Sequence, residues 1–138
     1  MFPEDTKILI VDDFATMRKI IRKVLSELSY KNVEETDDGN TALPKLETAA
    51  DSNQPFGLII SDWNMPGMTG IDLLKAVRAN DKLKDAGFLM VTSESEQKNV
   101  VAAVQAGVDD YVVKPFNGVT LSQKLENVYK RKNARAPA

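Results

Sequence analysis

Three short apolar runs, each ending in polar or charged residues, narrow the folds open to this chain. They are Ile8-Leu9-Ile10-Val11 before Asp12-Asp13, Leu58-Ile59-Ile60 before Ser61-Asp62, and Tyr111-Val112-Val113 before Lys114-Pro115. A run without polar alternation reads as a strand buried on both faces, the signature of a parallel sheet covered by helices. The intervening segments follow the helical period instead. Met17, Ile20, Ile21, Val24, Leu25 and Leu28 form one stripe, with Arg18, Lys19, Arg22 and Lys23 on the opposite face. Ile71, Leu73, Leu74 and Val77 mark another helix, and Val100, Val101 and Val104 a further one, stopped by Gly107. Asn32 to Thr36 reads as a polar edge strand, and Asp38-Gly39-Asn40 as a turn. A helix starting near Thr41 and carrying Ala42, Leu43 and Leu46 would keep Pro44 in its first turn, where an N–H is not needed. Residues 49–55 read as a polar loop, Phe56 to Ser61 as the third strand, and Phe88 to Val91 as the fourth, ending at Thr92. Thr120-Leu121-Ser122-Gln123 reads as a capping box opening a last helix through Leu121, Leu125, Val128 and Tyr129. Five βα units result, and hence a doubly wound α/β sandwich.

Composition removes several kinds of chemistry. The chain has 138 residues, a length that suits one domain, with the segment from 131 onward expected to fray. It has no Cys and no His, so thiolate metal sites, His-based acid–base catalysis and the usual zinc sites are excluded. A metal would have to be held by oxygen, which favours magnesium or calcium. A net charge of −2 gives no support for binding nucleic acid. The first residues lack the pattern of a signal peptide, and no stretch is long enough to span a membrane, so a cytoplasmic location is expected.

In an open parallel sheet the strand ends on one edge line a single crevice. The topology would therefore bring Asp12, Asp13, Asp62, Thr92 and Lys114 together. Converging carboxylates repel one another, and a divalent cation relieves that cost. Lys114 would pair with a carboxylate or a phosphoryl oxygen, and the Lys114-Pro115 bond can adopt the cis form. A cation cradle, a carboxylate, a lysine and a hydroxyl are the parts needed for attack by an aspartate on phosphorus. Gly67 and Gly70 do not form a nucleotide-binding loop, so ATP and NAD are not expected ligands.

Together Asp12-Asp13, Ser61-Asp62-Trp63-Asn64-Met65-Pro66-Gly67-Met68-Thr69-Gly70, Thr92 and Tyr111-Val112-Val113-Lys114-Pro115-Phe116 resemble the response-regulator receiver domain, above all its chemotaxis members. The resemblance spans roughly residues 7–130. It implies a flavodoxin-like (βα)5 fold, with a five-stranded parallel sheet in the order 2-1-3-4-5. It implies that Asp62 accepts a phosphoryl group from a histidine kinase, and that Asp12, Asp13, Asp62 and Asn64 hold Mg2+, Asp12 mainly through water. Lys114 and Thr92 would contact the phosphoryl group, Tyr111 would swing inward, and Asn64 and Glu94 would tune hydrolysis. The output face would be the fourth helix, fifth strand and fifth helix, with Ser95, Tyr111 and Lys124 on it. Its target would be a flagellar motor switch protein, with a phosphatase as a further partner and the chain acting as a monomer. Motor-binding members are basic early in the fourth helix; this chain has Ser95-Glu96-Gln97 there and Asp109-Asp110 before Tyr111.

Three other readings compete. A receiver in a non-chemotactic phosphorelay would carry the same site. A magnesium-dependent phosphohydrolase with an aspartyl nucleophile would need Asp-x-Asp on the first strand, but Phe14 follows Asp12-Asp13. A flavodoxin-like redox carrier would need a Ser/Thr/Gly-rich loop where this chain has Phe14-Ala15-Thr16-Met17-Arg18.

Overall fold

The computed structural model describes residues 1–65, 67–93 and 100–135. In chain order these form β1 (Ile8–Val11), α1 (Ala15–Glu27), β2 (Val33–Thr36), α2 (Gly39–Asp51), β3 (Leu58–Asp62), α3 (Gly70–Ala79), β4 (Gly87–Ser93), α4 (Val100–Gln105), β5 (Asp110–Lys114) and α5 (Gly118–Arg135). The strands make one parallel sheet in the order β2-β1-β3-β4-β5. The fold class and strand order implied by the resemblance are thus those observed. No described helix is long and apolar enough to cross a membrane.

Strand alternation divides the core into two layers. Ile8, Ile10, Leu58, Ile60, Leu89 and Val91 pack on one face with Ile21 and Leu25 of α1 and Leu121, Leu125 and Val128 of α5. Leu9, Val11, Ile59, Phe88 and Met90 pack on the other with residues of α2, α3 and α4. Every residue of β1 is fully buried, as expected of a strand covered on both sides. The register then sets the chemistry of the sheet edge. Val11 lies opposite Ser61, Asp62 opposite Val91, and Ser93 opposite Lys114, so four strands end on one edge of the sheet, with β4 and β5 running two residues further than β3.

Several element ends differ from the sequence reading, each for a local reason. The Asp38 side chain accepts from the Thr41 N–H at 2.8 Å, and α2 therefore begins at Gly39 rather than near Thr41. Pro44 then lies in the second turn, where it withholds the hydrogen bond due to the Asn40 carbonyl. The same helix continues to Asp51, into the segment read as a loop. The cap of α5 is Asn117, whose Oδ1 accepts from the Thr120 N–H at 2.8 Å, so Thr120 is inside the helix and the expected capping box is absent. A capping box does occur at α3, between Thr69 and Asp72.

Two close fits anchor the ends of the sheet. Gly70 opens α3 hard against β3: a Cβ there would stand 2.2 Å from the Asp62 carbonyl oxygen, and its N–H donates to the Trp63 carbonyl at 2.9 Å. At the opposite edge, residues 131–135, expected to fray, continue α5. Arg135 donates to the buried carboxylate of Asp109 and to the Ala86 carbonyl. Arg78 approaches the same carboxylate at 3.0 Å and donates to the carbonyls of Gly107, Lys84 and Ala86. The Phe88 N–H completes the set at 2.9 Å.

Candidate functional site

Asp12 stands just beyond β1 and is buried, whereas Asp13 beside it is exposed. Asp62 is the last residue of β3 and is 7% exposed. One carboxylate oxygen from each of the three lies within 4.8 Å of the others. Lys114, at the end of β5, places its ammonium 3.1 Å from Asp62 Oδ1 and 3.7 Å from Asp12 Oδ2. The four charges that the sequence assigned to three separate strand ends therefore meet in one crevice.

The electrostatics of this group are unbalanced. Burial pushes the Asp12 carboxyl above the usual carboxylate range; the Phe14 N–H opposes the rise, Asp62 adds to it, and Lys114 opposes it. Burial likewise raises Asp62, against the pull of Lys114. One lysine thus serves two buried carboxylates, with a third nearby. Asp12 Oδ1 accepts from the Phe14 N–H at 2.8 Å, but Oδ2 has no hydrogen-bond partner among the described residues. A buried carboxylate oxygen left unbonded in a cluster of three acids suits a hard divalent cation. The donor set is all oxygen, so a magnesium-type ion fits it and a thiolate- or imidazole-seeking ion does not.

Thr92 is buried near the end of β4, one residue beyond the partner of Asp62, and its hydroxyl donates to the Ser93 carbonyl at 3.3 Å. Asn64 is exposed two residues beyond Asp62. Tyr111 lies half-buried in β5, and the Lys124 ammonium sits 5.2 Å from the centre of its ring. Lys124 also pairs with Asp110 at 3.5 Å, and Asn127 donates to the other oxygen of that carboxylate at 3.0 Å. The one lysine expected on this face, on α5, is therefore partly neutralised by Asp110 of β5. Glu94 and Ser95, and with them Glu96 and Gln97, lie outside the described residues.

One contributor to the site has no precedent in the sequence reading. Arg18, read as part of the polar face of α1, donates from Nη1 to the Asp12 carbonyl at 2.5 Å and from Nε to Glu35 at 3.2 Å. Nothing in the local pattern distinguishes it from Lys19, Arg22 or Lys23.

Comparison with known proteins places the chain in a wider group. The family model of the response regulator receiver domain matches residues 8–126. The "Chemotaxis protein CheY" of Pseudomonas aeruginosa is 52% identical over 127 residues, covering 92% of this chain and 98% of that protein. The "Chemotaxis protein CheY-3" of Vibrio cholerae is 48% identical over 128 residues, covering 93% and 95%. Among solved structures, the chemotaxis response regulator CheY4 of Vibrio cholerae superposes with a TM-score of 0.79 at 37% identity, covering 90% of this chain and 98% of that one.

Proposed function

This chain belongs to the response regulator receiver family, and from that membership we propose that it is a switch operated by phosphorylation of Asp62. The donor in this reading is a histidine kinase of chemotaxis signalling. The target is a flagellar motor switch protein, bound through the face made by α4, β5 and α5. The observation that carries the reading is the Asp62 carboxylate at 3.1 Å from the Lys114 ammonium, on the same edge as a buried Asp12 oxygen without a hydrogen bond among the described residues. The names of the chemotaxis relatives given above support the chemotaxis setting. In this reading the chain is one receiver domain, acts as a monomer in the cytoplasm, and is a signalling protein rather than a turnover enzyme.

The residues divide the work. One Asp62 oxygen attacks phosphorus, the bond from phosphorus to the histidine nitrogen of the donor breaks, and the released imidazole takes up a proton. Lys114, already on Asp62 Oδ1, receives the charge of the incoming phosphoryl oxygens. Asp12, Asp13, Asp62 and the backbone carbonyl of Asn64 would hold Mg2+, with Asp12 acting mainly through water. When bound, the ion neutralises phosphoryl charge and orients the group for in-line attack. The Thr92 hydroxyl gives up the Ser93 carbonyl for a phosphoryl oxygen, and Tyr111 follows inward. Asn64 and Glu94 would tune hydrolysis of the acyl phosphate, and a dedicated phosphatase would act on the same bond.

Acetyl phosphate with Mg2+, followed by intact-mass spectrometry, tests this directly. One phosphoryl adduct should form on the parent chain and none on Asp62→Asn. An adduct retained by Asp62→Asn, or none on the parent, would overturn the assignment. Recovery of a motor switch protein by the beryllofluoride-treated chain, but not the untreated one, would establish the target; recovery of other partners alone would favour a non-chemotactic relay.

A further inference from the structure

Asp12 offers four polar atoms, and three are fixed. Its N–H donates to the Thr36 carbonyl at 3.2 Å, its Oδ1 accepts from the Phe14 N–H at 2.8 Å, and its carbonyl accepts from Arg18 Nη1 at 2.5 Å. The fourth, Oδ2, is the buried oxygen without a hydrogen bond among the described residues, 3.7 Å from the Lys114 ammonium. The peptide joining Asp12 to Asp13 is planar, so a donor on the Asp12 carbonyl also orients the Asp13 N–H and the start of its side chain. Arg18 therefore sets the direction of two acids at once.

A long side chain fixes nothing unless it is itself held. Glu35 of β2 holds this one: Oε1 accepts from Arg18 Nε at 3.2 Å, while Oε2 pairs with Arg22 at 2.8 Å. The Arg18 side chain is only 19% exposed. A planar guanidinium can serve a carbonyl and a carboxylate from two of its nitrogens together, which an ammonium on one stem cannot. Arg22 already ties α1 to Glu35, so the second arginine is surplus to that tie. Its Nη1 donates instead to the Asp12 carbonyl, the backbone group at the head of the acidic turn.

We propose that Arg18, braced by Glu35, is a positioning residue for magnesium binding, holding the Asp12–Asp13 turn in the orientation that the ion requires. The inference rests on the magnesium site proposed above. Its action runs through the Asp12 carbonyl, as partners that orient metal ligands do elsewhere.

Calorimetric titration of Mg2+ into the parent chain, Arg18→Met and Arg18→Lys tests it, alongside thermal melts of each in EDTA. Arg18→Met should weaken Mg2+ binding about tenfold, and Arg18→Lys by less, because lysine can reach the Asp12 carbonyl but cannot also hold Glu35. The metal-free melting temperature of Arg18→Lys should match the parent, which separates positioning from a general staple. Should Arg18→Met not fold, Arg18→Lys alone decides. Parental Mg2+ affinity in the folded variants, whatever their melting temperatures, would overturn the inference. A parent chain that binds no Mg2+ would bring down the magnesium site itself, and this inference with it.

Discussion

At the scale of single residues, the crevice is governed by a shortage of positive charge. Burial raises both Asp12 and Asp62, and Lys114 is the cation facing both. Lys114→Ala should leave Mg2+ binding intact or tighter, because a competing cation has gone from the cluster. Labelling by acetyl phosphate should slow by about a hundredfold, since a preorganised donor to the transferring group is lost. Phosphorylated Lys114→Ala should show no gain in affinity for a partner that the phosphorylated parent binds. Weaker Mg2+ binding, or an unchanged gain in affinity, would contradict this role. Asp12, Asp62 and Lys114 were legible in the sequence because each terminates an apolar run, and a parallel sheet brings such ends together. Arg18 was not legible: a basic residue on the polar face of a helix looks the same whether it meets water or a buried carbonyl. Asn117 and Thr120 show the same limit, since both can cap and only the backbone path selects between them.

At the scale of elements, the site depends on how tightly α3 follows β3. Gly70 has room for no side chain, with the Asp62 carbonyl 2.2 Å from where a Cβ would be and the Met90 sulfur 2.9 Å away. Gly70→Ala should cost about 1–3 kcal/mol through this overpacking, read as a lower urea midpoint with an unchanged slope. It should also slow labelling of Asp62, because the strand end must shift to admit the methyl group. Normal stability and labelling would mean that the contact relaxes freely. The strands were readable in advance because their apolar runs are uninterrupted, and the order of the sheet followed from the resemblance. Helix starts were less readable: Asp38 caps α2 earlier than the position of Pro44 suggested, and the fold accepts one missing helical bond.

At the scale of the molecule, the two edges of the sheet do different work. The carboxyl edge gathers acids and one lysine, and the amino edge is sealed by Asp109 between Arg78 and Arg135. Burial pushes Arg78 below the usual range, against the pull of Asp109. Asp109→Ala should therefore cost about 3–5 kcal/mol in urea unfolding, because it strands a buried guanidinium. A loss under 1 kcal/mol would show that water replaces the carboxylate. The contact spans 26 residues from Asp109 to Arg135 and has no local pattern, which is why the end of α5 read as frayed. Tyr30 adds a pH limit. Burial raises its hydroxyl, which donates to the Phe2 carbonyl at 2.7 Å. A raised phenol contributes stability that is complete below its ordinary value of 10.0 and lost as pH climbs through its folded value. The parent chain should thus lose stability above that point more steeply than Tyr30→Phe, measured by urea midpoints across alkaline pH; parallel curves would remove Tyr30 as the cause. The Arg135 seat also decides how the molecule can be mounted. Because α5 is fastened at the amino edge, an anchor attached beyond Arg135 leaves from the side remote from Asp62. A chain tethered to a sensor chip by that end would turn its acidic crevice toward the flowing solution, open to an incoming kinase.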